Sequence, residues 1–229
     1  MACDRRLTGA YVDSDALQSR LSALERRPPT AADRADEILA MVATTKRQEY
    51  GEDVNMLVHS LQAAELAVRA GADRDVIVAA LCHDIGGAEA VPSAIGFDAS
   101  SVQMVEDAAG QRIGVSGHHT LGYAFMKQMG ASEDVASLVR GHVDAKRYLV
   151  ATDDGYFARL SEASVGTLRE QGGPMSSDEV AAFESNHLSE TMLQMRTWDE
   201  EAKDSDRAVP PLWSYHELVA ESLRTSATV

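Results

Sequence analysis

Residues 49–86 read EYGEDVNMLVHSLQAAELAVRAGADRDVIVAALCHDIG, and the placing of apolar residues in this stretch decides the architecture. Val54, Leu57, Val58, Leu61 and Val68 share one helical stripe, and His59, Ala63, Leu66 and Ala67 form a second stripe beside it, the pattern of a helix turned towards a core. His59 therefore points inward. Gly71 ends that helix, and a compact apolar helix follows whose last turn delivers His83 and Asp84 before Gly86 and Gly87 break it. Two helices thus bring a histidine and a His-Asp pair to one interior.

The same spacing continues outward in both directions. Upstream, residues 13–27 can form a polar helix stopped by Pro28 and Pro29, and a second helix can run from Thr30 towards Arg47. Downstream, residues 88–117 are rich in Gly, Ser and Ala and read as a loop with a short helix at 101–109, long enough to cover a site. His118, Leu121, Gly122, Phe125 and Met129 then share one face, and Ser132 caps a helix carrying Val135, Leu138, Val139, His142, Val143 and Lys146 on one stripe. A lysine facing inward requires a partner. Residues 157–170 form a further helix with Ser164 and Thr167 on one side; Ser177 caps the next, and Leu188, Met192, Met195 and Asp199 line up after it. A last helix at 213–223 packs outside. The expectation is an all-α bundle: an N-terminal helical extension over 1–48, a core over 49–205 and a C-terminal helix within 206–229.

Composition narrows the function. Thirty-six acidic residues against 21 Lys plus Arg leave a net charge of −15, which repels nucleic-acid backbones and anionic membranes. No run of about 18 apolar residues is present and the first residues lack a secretory stretch, so a cytoplasmic location is expected. The two cysteines, Cys3 and Cys82, offer no disulfide framework, and Cys82 reads as a small buried residue.

Four histidines and two aspartates fall on interior faces: His59, His83, Asp84, His118, His142 and Asp199. Burying such groups costs several kcal/mol each without compensation; a lone buried histidine is more often hydrogen-bonded than metal-bound, but the six together, with the adjacent His-Asp pair, point to metal ions. An adjacent His-Asp pair at a helix end lets the imidazole meet one ion while the carboxylate reaches a second. His119, His187 and His216 fit no such pattern and read as structural or surface residues.

In this order the residues have the H…HD…D arrangement of the HD superfamily, and over about residues 50–199 the chain resembles its mixed-valent diiron oxygenases, which include myo-inositol oxygenase and the organophosphonate-cleaving enzymes. Residues 49–86 look like the phosphonate branch almost throughout; HHTLGYAF at 118–125 and GHVDAKRYL at 141–149 match its next two histidine segments. The resemblance implies a helical bundle with a dinuclear iron site at its centre: one iron on His59, His83, Asp84 and Asp199, the other on Asp84, His118 and His142. It implies that Lys146, Ser164 and Thr167 hold the phosphonate, that Glu52 answers a cationic end of the substrate, and that Tyr50 caps the open iron. The family's tyrosine stands ten residues before the first histidine, where this chain has Glu49, with Tyr50 one residue later. Arg196 could add a bidentate contact or lie in solvent. A second departure is Gly87, where relatives carry a histidine.

The activity implied is oxygenative cleavage of the carbon–phosphorus bond of a 1-hydroxy-2-(amino or trimethylammonio)ethylphosphonate, with dioxygen as co-substrate, giving phosphate and glycine or glycine betaine. Trp198 and Tyr148 are candidates for a cage around trimethylammonium, with packing as their simpler role. An HD phosphohydrolase would use nearly the same ligands to activate water, and a regulatory protein with a degenerate site is a third reading. The oligomeric state is not readable from the sequence.

Overall fold

The computed structural model describes residues 29–47, 54–106 and 112–226. The expected helix at 13–27, together with Glu49, Tyr50 and Glu52, lies outside the described residues. Ten α-helices and one two-stranded antiparallel hairpin are present among those described, and no helix is long and apolar enough to cross a membrane.

Helix α1 (Ala31–Thr44) starts at a capping box: the Thr30 hydroxyl accepts from the Asp33 amide, and the Asp33 carboxylate accepts from the Thr30 amide. Helix α2 (Met56–Arg69) is capped by Asn55, whose side chain accepts from the Val58 amide at 3.0 Å, an arrangement that stabilises a helix by about 1 kcal/mol. Its buried face is Met56, His59, Ser60, Leu61, Gln62, Ala63, Ala64 and Ala67. Val68, expected in the core stripe, is 44% exposed, because the interior follows the alanine-rich stripe containing His59 and lets two helices approach closely. Helix α3 (Arg74–Cys82) is buried from Ile77 to its end. Cys82 is fully buried and free.

After a short α4 (Val91–Ala94), strands β1 (Met104–Glu106) and β2 (Arg112–Val115) pair antiparallel, with Met104 opposite Val115 and Val105 opposite Gly114. This corrects the expected helix at 101–109: strands this short show too little alternation to be read. Helices α5 (His118–Gln128), α6 (Glu133–Thr152), α7 (Glu162–Leu168), α8 (Ser177–Glu184), α9 (Ser189–Glu201) and α10 (His216–Ser226) complete the chain. The expected helix at 157–170 is split into a 3-10 turn at Phe157–Arg159 and α7, capped by Ser161. Ser176, not Ser177, caps α8. The long α6 is the central strut, packed against α3, α5 and α9, while α2 packs on α3 and α9, and α10 covers α1 and α3.

Candidate metal centre

The His-Asp pair sits where helix geometry fails. Helix α3 ends at Cys82, and Asp84 takes φ −101° and ψ 9° before a 3-10 turn at Ile85–Gly87; this sparsely populated region is frequent at functional positions. Gly86 is required here. A Cβ on it would lie 1.9 Å from the His118 carbonyl oxygen and 2.4 Å from the Gly122 amide nitrogen. That main-chain contact seats the start of α5, and with it His118, directly against the turn. Gly117, at φ 70°, supplies the left-handed residue that launches α5.

Each of four imidazoles has its Nδ1 against a main-chain carbonyl: His59 with Ala202 at 2.9 Å, His83 with Ala80 at 2.8 Å, His118 with Val115 at 3.1 Å and His142 with Val139 at 2.7 Å. A carbonyl only accepts, so Nδ1 carries the proton and the lone pair of a neutral ring lies on Nε2. These bare nitrogens face one another, His59 to His83 at 3.0 Å and His118 to His142 at 3.1 Å. Asp84 stands between the pairs. Its Oδ1 is 3.3 Å and 3.5 Å from His118 and His142, and its Oδ2 is 3.4 Å and 3.7 Å from His83 and His59. Asp199 Oδ1 lies 3.2 Å from His59 Nε2 and 3.8 Å from His83 Nε2.

Two compact donor sets result, His59–His83–Asp199 and Asp84–His118–His142, each able to close on one ion. Asp84 offers an oxygen to each side, and its Oδ2 is buried without a hydrogen-bond donor. The set fits a divalent cation. Lone pairs converging at these distances repel unless a positive charge sits among them, and imidazole with carboxylate suits several first-row metals. Without an ion, protons take part of that role. Burial disfavours an imidazolium at His83, yet Asp84 and Asp199 overcome this and push its pKa up to about 9. At His142 burial prevails and holds the ring well below its ordinary value, and His118 is lowered for the same reason. Burial opposes ionised Asp84 and Asp199, but histidines around Asp84, and Arg196 with the histidines around Asp199, keep both carboxyls well below the usual range.

Helix α9 is stitched to α2 at the level of the site. Ala202 receives the His59 proton, and the Gln62 side chain exchanges hydrogen bonds with the Asp204 main chain at 2.6 Å and 3.1 Å. Asp199 lies near the negative end of α9, an unfavourable place for a carboxylate, and Arg196 one turn earlier offsets it with a 2.5 Å bond to Oδ2. Arg196 also donates to the Tyr156 hydroxyl and to Glu200, and Tyr156 in turn donates to Glu200. The solvated alternative for Arg196 is thus replaced by a buried side chain.

Beside the second donor set lies a small cavity of about 30 Å³, lined by Asp84, His118, His142, Asp199, Lys146, Ser164, Thr167 and Arg196 together with Met56, Gly87, Gly114, Val115 and Ala163. Lys146 is buried and donates to the Thr167 hydroxyl at 3.0 Å and the Ser164 carbonyl at 3.3 Å. Burial and the neighbouring Arg196 bring its pKa down to about 7. Arg196 reaches the Ser164 hydroxyl at 3.4 Å. The six residues expected to meet do meet, and Lys146, Ser164, Thr167 and Arg196 share a cavity with four of them.

Sequence reasoning missed the Gln62 clamp, the Tyr156–Arg196–Glu200 network and the cavity wall at Met56. Gln62, a polar residue within the apolar face of α2, is the one signal in the sequence; Tyr156 lies in a turn and gives none. Neither candidate cage residue lines the cavity: Trp198 is in the core, and Tyr148 stacks on Phe183 at 4.6 Å between ring centroids. His187 and His216 pair with Asp134 and Asp36 at the surface. The partly buried His119, beside His118, is lowered to about 4, mainly by burial.

Residues 56–208 match the HD domain family. The chain is 39% identical over 173 residues to the 1-hydroxy-2-(trimethylamino)ethylphosphonate dioxygenase (glycine-betaine-forming) of Leisingera caerulea, covering 75% of this chain and 81% of that one. It is 34% identical over 197 residues to the hydroxymethylphosphonate dioxygenase of Gimesia maris, covering 86% and 92%. An uncharacterised protein of Acanthamoeba polyphaga mimivirus is 34% identical over 176 residues, covering 77% and 75%.

Proposed function

The chain belongs to the HD-domain family, alongside relatives named as phosphonate dioxygenases, and from that premise we propose that it is a diiron oxygenase cleaving the carbon–phosphorus bond of a 1-hydroxyphosphonate. In this reading His59, His83, Asp84 and Asp199 hold one iron, and Asp84, His118 and His142 the other. The observation that carries it is that one small cavity joins an open metal-donor set to a buried lysine flanked by two hydroxyl residues. A phosphohydrolase could hold a phosphate group with the same donors, and what favours the oxygenase over it is the likeness to relatives named as phosphonate dioxygenases.

The protein's own contribution is binding and orientation. The phosphonate oxygens take the Lys146 ammonium, the Thr167 and Ser164 hydroxyls and the Arg196 guanidinium, a set of donors from three helices, α6, α7 and α9. The dianion replaces the Ser164 carbonyl and the Thr167 hydroxyl as the partner of Lys146 and favours its charged form. With the headgroup held there, the carbinol carbon and its hydroxyl face Asp84, His118 and His142. Iron bound in the two clusters would supply the dioxygen chemistry, which no side chain here can perform. The balance is one dioxygen consumed per phosphonate, with the carbinol carbon leaving as a carboxylic acid and phosphorus as phosphate. Glu52 and Tyr50 are proposed to meet the far end of the substrate and the open iron respectively.

Candidate substrates are 1-hydroxy-2-aminoethylphosphonate, its N-trimethyl counterpart and hydroxymethylphosphonate, which present the same hydroxyl and headgroup to the site. The test is to incubate iron-loaded protein with each and follow oxygen uptake together with phosphate release. Equal molar amounts are expected. Phosphate released from phosphate esters or nucleotides with no oxygen consumed would support the hydrolase instead.

A further inference from the structure

The cavity has three kinds of wall. Asp84, His118, His142 and Asp199 form the metal side, and Lys146, Ser164, Thr167 and Arg196 form the anion side. What remains for the substituent on the carbinol carbon is Met56, Gly87, Gly114, Val115 and Ala163. Among these described residues none is aromatic and none is charged, and Met56 is the one long, flexible side chain.

Met56 and Gly87 compete for one volume. A Cβ on Gly87 would lie 3.1 Å from the Met56 methyl carbon and 3.4 Å from its sulfur, so the thioether is seated over the bare main chain of the 3-10 turn. Met56 is the first residue of α2, buried and fixed in place by the Asn55 cap. The cavity of about 30 Å³ holds roughly two water-sized spheres at about 10–15 Å³ each. Hydroxymethylphosphonate is the smallest of the candidate substrates, and even its six non-hydrogen atoms require the wall to give. A trimethylammonio-methyl substituent adds five non-hydrogen atoms, and Met56 is the largest side chain on the uncharged wall left to receive them.

Resting on the functional reading above, we infer that Met56, seated over Gly87, is a specificity-determining residue that limits the substituent on the carbinol carbon and makes the enzyme selective for the smallest 1-hydroxyphosphonate. Methionine suits this role: it fills irregular space and yields to a modest push, so the limit is a graded one.

The test compares wild type, Met56→Ala, Met56→Leu and Gly87→Ala, all metal-loaded. Dissociation constants for hydroxymethylphosphonate and 1-hydroxy-2-(trimethylammonio)ethylphosphonate are measured by calorimetry without oxygen, and kcat/KM by phosphate release in air. Wild type should favour the smaller compound by tenfold or more. Met56→Ala, which removes Cγ, Sδ and Cε, should shift the ratio at least tenfold towards the larger compound, while Met56→Leu, close in volume, should hold it within threefold. Gly87→Ala approaches the same wall from the other side, pushes Met56 into the cavity and should move the ratio further against the larger compound, so the inference stays testable if Met56→Ala does not fold. Tight binding of both compounds with ratios unmoved in both Met56→Ala and Gly87→Ala would overturn the inference and leave the functional reading standing. Failure of wild type to bind or consume either compound would overturn the functional reading, and this inference with it.

Discussion

The two donor sets are built from the same kinds of side chain and differ in what lies behind them. His59 and His83 are sealed in the core, with 0% and 2% of their surface exposed. Behind them are the α9 terminus, the Gln62 clamp and the alanine face of α2. His118 and His142 instead line the cavity with Lys146, Ser164 and Thr167. The histidines of one set are closed off by protein, with Asp199 alone of that set reaching the cavity, and the other set opens onto space for a ligand. The contrast separates two duties within one centre: a closed set anchors an ion, and an open set leaves positions for chemistry.

Asp84→Ala should give the largest effect, because it removes the one carboxylate with an oxygen towards the histidines of each set. Metal analysis should find fewer than one ion per chain, and oxygen uptake should fall by about a thousandfold or more, the scale of an uncompensated buried charge cluster. Retention of two ions would break the bridging assignment. His59→Ala and His118→Ala should then part company. The first leaves a cavity in a sealed core and severs the tie to Ala202, for a loss of about 3–5 kcal/mol in thermal unfolding; the second should retain the fold and one ion while activity is lost. Equal destabilisation by the two would erase the distinction.

Lys146→Met addresses the open side alone. The Michaelis constant should rise by about a hundredfold, the scale expected for removing one partner of a buried charged contact, with metal content unchanged. Arg196→Lys keeps the charge but loses the planar group that reaches Asp199, Tyr156, Glu200 and Ser164 at once, and metal affinity should fall by about ten- to a hundredfold, seen by chelator competition.

The smallest effect is in pH. Lys146 faces Arg196, Lys203, Asp199 and Asp84, and burial, reinforced by Arg196, lowers its pKa to about 7. Its charge is therefore lost as pH rises through that value in the folded protein. The unfolded chain holds the proton up to its ordinary value of 10.5, so between these limits the unfolded state binds more protons and this group makes folding more favourable as pH rises. Binding of a dianion runs the other way: the Michaelis constant should climb about fivefold between pH 7 and pH 8, and Lys146→Arg, which stays charged, should flatten that slope.

The closed side was the more legible in sequence. His59, His83 and Asp84 lie within one stretch whose helical spacing is strong, and spacing departs from the structure only at the edge of the buried face, which follows the alanines and leaves Val68 exposed. On the open side the metal-facing histidines and Lys146 were readable from the stripe on α6. The walls were not. The hairpin bearing Gly114 and Val115 is too short for a period, Met56 precedes the stripe it belongs to, and the burial of Arg196 follows from Tyr156, forty residues away in the chain. Spacing reports what lies along one helix and is silent on what a distant segment lays across it.

The carbonyl partners of the four imidazoles carry a further consequence. Where side-chain carboxylates orient metal-binding rings, a single substitution can release them. Here Ala80, Val115, Val139 and Ala202 act through main-chain oxygen alone, so replacing any of these side chains leaves the acceptor in place. Three of the four oxygens stand three residues before their own histidine, and those rings are held by helix or turn geometry that every sequence variant inherits. The orientation of the centre is thereby shielded from mutational drift at these positions, and its exposed risk is displacement of whole segments, above all the α9 terminus that His59 holds.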